Sequence, residues 1–129
     1  MGITAIKSIA NLHPVATYAI RNLENPNDTG GPDNALFLDT GENRPVTMWI
    51  PWCNNLADFE SDHRIIFEAI GTSQQELLTV MNSYTIWQRG DYVYYSLDDQ
   101  FGTGRLVPGN STVNGDRSVE ITASDIRFY

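Results

Sequence analysis

The sequence predicts an all-β domain, an antiparallel β-sandwich or a small barrel. Short apolar runs separated by turn residues recur from one end of the chain to the other, which is typical of many short strands. Several runs alternate apolar with polar residues, as strands with one buried face do. The 129 residues suffice for one core and not two, so residues 1–129 are predicted to form a single domain. A β-trefoil is the alternative, although no threefold repeat is visible.

The first half of the chain predicts four strands, at residues 3–12, 15–23, 35–39 and 46–52. In the second strand, Tyr18 and Ile20 are expected on one face, with Thr17, Ala19 and Arg21 on the other. Residues 24–34 are rich in Asn, Asp, Gly and Pro, which predicts an exposed loop. The third and fourth strands are predicted to form a pair joined by residues 40–43.

The middle of the chain is less regular. Residues 54–62 are polar, and one helical turn is predicted around residues 56–59 before a strand at 64–70. Ser73 and Glu76 match the spacing of a helix capping box, whereas residues 77–81 are rich enough in β-branched and apolar side chains for a strand. Both alternatives stay open for this segment.

The second half predicts hairpins and tight turns. Residues 84–88 and 92–97 flank Arg89-Gly90-Asp91, and two aromatic strands joined by a glycine turn are typical of a hairpin. We interpret this tripeptide as a turn and not as an adhesion motif. Pro108-Gly109 suits the centre of a type II turn, and Asn114-Gly115 is a second hairpin signal before a strand at 118–123.

The alternation of apolar residues changes phase near the C-terminus. Val119, Ile121 and Ala123 share one phase, whereas Ile126 and Phe128 have the other. A bulge or a tight turn is therefore predicted between the two sets.

The charge of the chain excludes some partners. The formal net charge is -8, and the eight basic residues are scattered singly. Nucleic acid is disfavoured because its binding requires phosphate neutralisation, and an acidic surface also repels anionic lipid headgroups. No apolar run approaches the roughly 20 residues of a membrane helix, so no membrane insertion is expected. Neutral and cationic ligands stay compatible with this acidic protein.

The single cysteine and the first residues indicate the cellular setting. Cys53 has no partner for an internal disulfide, and we interpret it as a small buried hydrophobe. The start of the sequence lacks the basic and apolar stretches of a signal peptide. A cytoplasmic protein is expected, or a secreted one if a leader was removed.

Catalytic and metal motifs are weak. No Walker loop, dinucleotide fingerprint, His-Glu-x-x-His motif or Gly-x-Ser-x-Gly elbow occurs, so a non-enzymatic protein is predicted. A small hydrolase that uses Asp98, Asp99 or Glu60 is the remote alternative. Asp28, Asp33 and Asn34 supply the oxygen donors that calcium prefers, but Asx turns explain the same residues. No cofactor is therefore predicted.

The aromatic residues suggest a lectin-like module for neutral carbohydrate. Aromatic side chains lie beside Asn, Gln, Arg and Asp at 52–55 and 87–95, and tyrosine and tryptophan combine an apolar body with a polar group. Trp52 or Trp87 would stack on a sugar ring, and the polar neighbours would bind its hydroxyls. The predicted binding residues are Trp52, Asn54, Trp87, Arg89, Asp91, Tyr92 and Tyr94. Core packing is the competing explanation for these aromatics.

A protein-interaction domain is the second hypothesis, as an inhibitor, a toxin component or a structural subunit. Its contacts would come from exposed turns at residues 25–34 or 105–116. The apolar residues 126–129 suit an edge strand that pairs between copies, so a homo-oligomer is also expected.

Overall fold

The computed structural model describes residues 4–26, 34–70, 82–97 and 99–129. The strands and the helix within these ranges are β1 (Thr4–Asn11), β2 (Thr17–Asn22), β3 (Leu36–Leu38), β4 (Asn43–Trp49), α1 (Leu56–Ser61), β5 (Ile65–Ile70), β6 (Tyr84–Arg89), β7 (Tyr92–Ser96), β8 (Arg105–Leu106), β9 (Gly115–Ile121) and β10 (Ile126–Phe128). They form a four-stranded sheet in the order β10-β9-β1-β4 and a six-stranded sheet in the order β3-β2-β5-β6-β7-β8. The all-β prediction is confirmed, as two open sheets of a sandwich.

The main core joins the two sheets. Ile6 and Val119 from the four-stranded sheet lie in one buried cluster with Ile20 and Phe67 from the six-stranded sheet. Tyr18 shares this cluster with Ile20, as the alternation of β2 predicts. Burial of such large apolar side chains is the main stabilising contribution to the sandwich.

A smaller core covers the opposite face of β6. Ile86 belongs to the main core, whereas its neighbour Trp87 packs with Cys53 and Phe59 in a second cluster. Adjacent residues of a strand point to opposite faces, so this second cluster lies outside the sandwich core. Phe59 comes from α1, whose N-cap Asn55 accepts a hydrogen bond from the Asp58 amide.

One strand pair is parallel. β1 pairs with β9 in parallel, with Thr4 opposite Gly115, and the other strand pairs within the described residues are antiparallel. The predicted antiparallel pairing therefore holds for the other strand pairs and not for β1 and β9. A parallel pair needs a long connection, here almost the whole chain, and so leaves no local sequence signal.

Two local pairing predictions were wrong. β3 pairs with β2 and β4 pairs with β1, so the two predicted partners lie in different sheets. Their connection crosses between the sheets and is held by hydrogen bonds from the Asn11 amide to the Glu42 carbonyl and from the Gly41 amide to the Asn11 carbonyl. Gly115, with φ of +110°, starts β9 beside β1 and does not close a hairpin. In both places a strand pairs with a partner distant in sequence and not with the neighbour that the turn residues predicted.

Other turn predictions are confirmed. Arg89 pairs with Tyr92 across the β6–β7 hairpin, and Gly90 takes the positive φ of +60° that a two-residue turn requires. Gly109 has a φ of +89°, as the third residue of a type II turn does. The predicted helical turn is α1. Residues 73–81 lie outside the described ranges.

A tight turn joins β9 to β10 at the predicted change of phase. The Thr122 amide donates to the Asp125 carbonyl at 2.8 Å. Val119, Ile121, Ile126 and Phe128 are then all buried.

The C-terminal strand is already paired on its outer edge. The Phe128 amide donates to the Pro108 carbonyl, and the Asn110 amide donates to the Phe128 carbonyl, at 2.9 and 2.7 Å. Residues 105–116 therefore connect the two sheets instead of forming a free loop. At the opposite edge of this sheet, the Asn11 amide donates to the Glu42 carbonyl, so the main chain of Glu42 faces β1. Main-chain groups of successive strand residues point to alternate sides, which directs those of Pro45 away from β1. A proline there offers no amide to a further strand.

The described residues include no helix long and apolar enough to span a membrane.

Candidate functional site

The candidate site is built on the segment that leaves β4 and crosses to the six-stranded sheet. The Ile50 amide donates to the Thr4 carbonyl at 3.0 Å, which keeps the start of the segment on β1. Further along, the Gln88 amide donates to the Pro51 carbonyl and the Cys53 amide donates to the Gln88 carbonyl. This crossover, residues 50–53, is therefore fixed to one strand of each sheet.

A cleft opens beside the crossover. It has a volume of about 220 Å³ and is lined by Thr4, Glu24, Asn25, Trp49, Ile50, Pro51, Trp52 and Gln88. Trp49 is 44% exposed, and Trp52 is partly buried. Ile50 and Cys53 belong to the buried cores. Trp49, the last residue of β4, and Trp52 of the crossover are the aromatic residues among those that line the cleft.

Gln88 contributes a buried amide to the cleft. Its side chain is 2% exposed, and its Nε2 donates to the Ile50 carbonyl at 2.5 Å. Its Oε1 is buried and has no hydrogen-bond partner among the described residues. A buried acceptor without a partner costs about 1–3 kcal/mol.

Asn22, at the end of β2, holds two walls of the cleft in place. Its Nδ2 donates to the Trp49 carbonyl at 2.9 Å. Its Oδ1 accepts hydrogen bonds from the amides of Glu24 and Asn25, at 3.2 and 3.0 Å. Asn22 is 1% exposed. Its amide thereby connects Trp49, on the tryptophan wall of the cleft, to Glu24 and Asn25, which form the polar wall.

The polar wall carries a negative charge. The Glu24 carboxylate Oε2 lies 3.3 Å from His63 Nδ1, in a contact without hydrogen-bond geometry. None of the described residues that line the cleft is Lys or Arg. The described lining of the cleft therefore combines apolar aromatic surface with polar side chains, one of which is a carboxylate.

The predicted binding residues separate into three places. Trp52 lines the cleft, and Asn54 is exposed just after the crossover. Asp91 and Tyr92 are exposed at the tip of the β6–β7 hairpin, where Tyr92 is 42% exposed. The remaining three lie around the second core.

Trp87 is 1% exposed and is enclosed by aromatic rings. The ring centroids of Phe59, Phe101 and Tyr94 lie 5.2, 5.7 and 6.3 Å from that of Trp87. Packing therefore accounts for this residue, and it offers no free face to a sugar. The Nε1 of Trp87 is buried without a hydrogen-bond partner among the described residues.

Arg89 and Tyr94 border a small recess over the second core. The recess has a volume of about 80 Å³ and is also lined by Trp87, Phe101 and Gly104, so it brings together three of the predicted binding residues. The Arg89 guanidinium lies 5.3 Å from the centre of the Phe101 ring, in the range of a cation–π contact. The recess is much smaller than the cleft, and a cation already covers one of its rings.

Two of the carboxylates singled out for catalysis, Asp99 and Glu60, do not line the cleft. Asp99 Oδ1 accepts from Arg64 Nε and from Thr85 Oγ1, at 3.0 and 3.1 Å. Glu60 is exposed on α1, and Asp98 lies outside the described residues.

The proposed calcium ligands are not tested by the structure. Asp28 and Asp33 fall outside the described residues, and Asn34 is exposed with a φ of +56°. Elsewhere in the described chain, no group of three or more His, Cys, Asp or Glu side chains is arranged to hold a metal.

Sequence reasoning missed most of the cleft. Glu24, Asn25 and Gln88 come from two distant strand ends, and only the fold brings them to the crossover. One local signal was available, the run Trp49-Ile50-Pro51-Trp52. Two tryptophans around a proline are unusual for a strand that pairs on both sides.

Comparisons of the chain with protein-family models, curated proteins and solved structures found no match in any of the three.

Proposed function

We propose that the protein is a non-enzymatic module that binds neutral carbohydrate in the cleft beside the crossover. The observation that carries this proposal is the composition of the cleft, in which Trp49 and Trp52 line the same space as the polar residues Glu24 and Asn25. A sugar presents an apolar C–H face and a rim of hydroxyls. Indole rings suit the first, because tryptophan supplies a large apolar surface, and amide and carboxylate oxygens suit the second.

The size of the cleft supports a small ligand unit. Its volume of about 220 Å³ is below the roughly 300–1,000 Å³ of pockets that enclose drug-sized ligands. One sugar ring, at a chain end or within an oligosaccharide, matches this space. The fixed crossover favours binding because a site that is already formed loses less conformational entropy when the ligand arrives.

Binding without cleavage is proposed because the described residues that line the cleft include one carboxylate. Most glycosidases place two carboxyl groups on either side of the scissile bond. Among the described residues of the cleft, Glu24 alone has a carboxyl group. A carbohydrate would therefore be held without a second group to act as nucleophile or base.

The test is a titration of the protein with a panel of neutral oligosaccharides, followed by tryptophan fluorescence and calorimetry. Trp52→Ala is expected to abolish binding, and Trp49→Ala to weaken it. Tyr92→Ala is the matched control, because Tyr92 is an exposed aromatic outside the cleft.

Loss of binding in Tyr92→Ala, with binding intact in Trp52→Ala, would show that carbohydrate binds at the tip of the β6–β7 hairpin and not in the cleft. A panel without any binding would reject the carbohydrate proposal and favour a protein partner. Circular dichroism of each variant separates loss of the site from loss of the fold.

A further inference from the structure

We infer that the cleft prefers a sugar residue with a free, protonated amino group over the corresponding neutral sugar. This inference rests on the proposed carbohydrate function and changes one part of it, since the preferred sugar is cationic and not neutral. It comes from the carboxylate of Glu24 and from the lack of Lys or Arg among the described lining residues, because a neutral ligand requires neither.

The electrostatics of the cleft favour a cation. Glu24 supplies a carboxylate, and none of the described lining residues is Lys or Arg. The whole chain carries a formal net charge of -8, so the surrounding field attracts positive ligands and repels acidic sugars. The described basic group in contact with Glu24 is His63, at 3.3 Å, which approaches the carboxylate through a single ring nitrogen.

The hydrogen-bonding groups of the cleft also match an ammonium. An ammonium has three donors and no acceptor. Glu24 and Asn25, which both line the cleft, carry carboxylate and amide oxygens that accept hydrogen bonds.

The aromatic walls reinforce this preference. Indole is the ring that attracts a cation most strongly over its face, and both Trp49 and Trp52 border the cleft. An amino sugar lets one ligand use two kinds of contact. Its ring C–H face stacks on one indole while its ammonium lies between aromatic surface and carboxylate.

The experiment compares three oligosaccharides of equal length by calorimetry at about pH 7, where an amine is still mostly protonated. They are a glucosamine oligomer, its N-acetylated form, and the unsubstituted glucose oligomer. The glucosamine oligomer is expected to bind about tenfold more tightly than either neutral one, as a charge-assisted hydrogen bond would provide. Added salt is expected to reduce this preference, because it screens exposed charges.

Two variants locate the preference. Glu24→Gln is expected to bring the three affinities close together while neutral sugars still bind. Glu60→Gln is the matched control, since it removes one carboxylate outside the cleft and is expected to keep the wild-type preference. The wild-type comparison does not depend on either variant folding.

The outcomes separate the two proposals. Equal binding of all three oligosaccharides to the wild type would overturn the amino-sugar inference and leave the carbohydrate function standing. Binding of none of the three would overturn both. A preference for glucosamine that survives in Glu24→Gln and disappears in Glu60→Gln would place the selective charge outside the cleft and would also overturn the inference.

Discussion

The side chain of Asn22 is hydrogen-bonded to the main chain of Trp49, with its Nδ2 2.9 Å from the Trp49 carbonyl oxygen. This bond links the end of β2 to the end of β4, and so links the two sheets where the cleft opens. The other atom of the amide, Oδ1, holds the amides of Glu24 and Asn25. A single buried side chain therefore sets the separation of two cleft walls.

Replacing Asn22 by Ala is expected to destabilise the fold by about 1–3 kcal/mol, because buried main-chain groups lose their partners. The measurement is urea unfolding followed by circular dichroism. Asn54→Ala is the control, since Asn54 is exposed, and its effect is expected within about 0.5 kcal/mol. Equal stability of the Asn22 variant and the wild type would show that water replaces these bonds at little cost.

Gly104 is in close contact with Trp87. A Cβ built at Gly104 would lie 2.5 Å from Trp87 Cζ2 and 2.7 Å from Cη2. Gly104→Ala is therefore expected to displace the buried indole and to lower the free energy of unfolding by about 1–3 kcal/mol. Denaturant unfolding followed by tryptophan fluorescence measures both effects.

Gly102→Ala is the matched control for this contact, because nothing lies within 4 Å of a Cβ at Gly102. It is expected to leave the free energy of unfolding and the tryptophan emission of the protein nearly unchanged. The same loss of stability in both variants would argue against the indole contact as the cause.

Local structure was the part of the fold that the sequence could predict. The β6–β7 hairpin depends on residues adjacent in the chain, with Gly90 supplying the positive φ of its turn. The turn from β9 to β10 was visible as a change of apolar phase, because both strands bury the same face against one core. Alternation and turn chemistry are local properties, and they are readable from a few residues.

Pairing between distant strands could not be predicted in this way. Thr4 lies opposite Gly115 in the parallel pair, and nothing near either residue specifies the other. The separation of β3 and β4 into different sheets has the same origin, since each pairs with a distant strand and not with its neighbour. Backbone hydrogen bonds are alike at every residue, so pairing depends on the packing of the whole core.

The candidate site shows the same division. The aromatic content of 49–52 was visible in the sequence, and Trp52 does line the cleft. Alternation put Trp87 on the opposite face of β6 from Ile86. It did not show that Phe59 of α1 and Phe101 would cover that face. Burial of an aromatic on a second face depends on which loops return to it.

Alkaline pH is expected to destabilise the protein through two buried tyrosines. Burial raises the pKa of Tyr84 from the usual 10.0 to about 12, and burial also raises the pKa of Tyr18. In the unfolded chain these phenols ionise near pH 10, so between about pH 10 and 12 the unfolded state binds fewer protons than the folded state. The free energy of unfolding therefore falls as the pH rises through this window.

Urea unfolding at several pH values between 8 and 12, buffered in steps, measures this slope. Tyr84→Phe is expected to make the decline shallower, because one of the groups that ionise on unfolding is gone. Tyr92→Phe is the control, since Tyr92 is 42% exposed. An identical slope in Tyr84→Phe and the wild type would exclude Tyr84 as a source of the alkaline loss.

Cys53 is expected to be chemically protected in the folded protein. It is 0% exposed beside Phe59 and Trp87, and burial raises the pKa of its thiol. A thiol reagent reacts with the thiolate, so both access and ionisation limit the reaction. Modification is expected to be slower in the native protein than in urea by on the order of a hundredfold or more, since the reagent must wait for unfolding.

A thiol at the next position provides the comparison for this protection. Asn54 follows Cys53 and is exposed, so Asn54→Cys in a Cys53→Ala background is expected to react in the native state about as fast as in urea. Absorbance of the released chromophore gives both rates. Fast native labelling of wild-type Cys53 would mean that the crossover and α1 open together without global unfolding. The cleft wall formed by Trp52, one residue before Cys53, would then open with them.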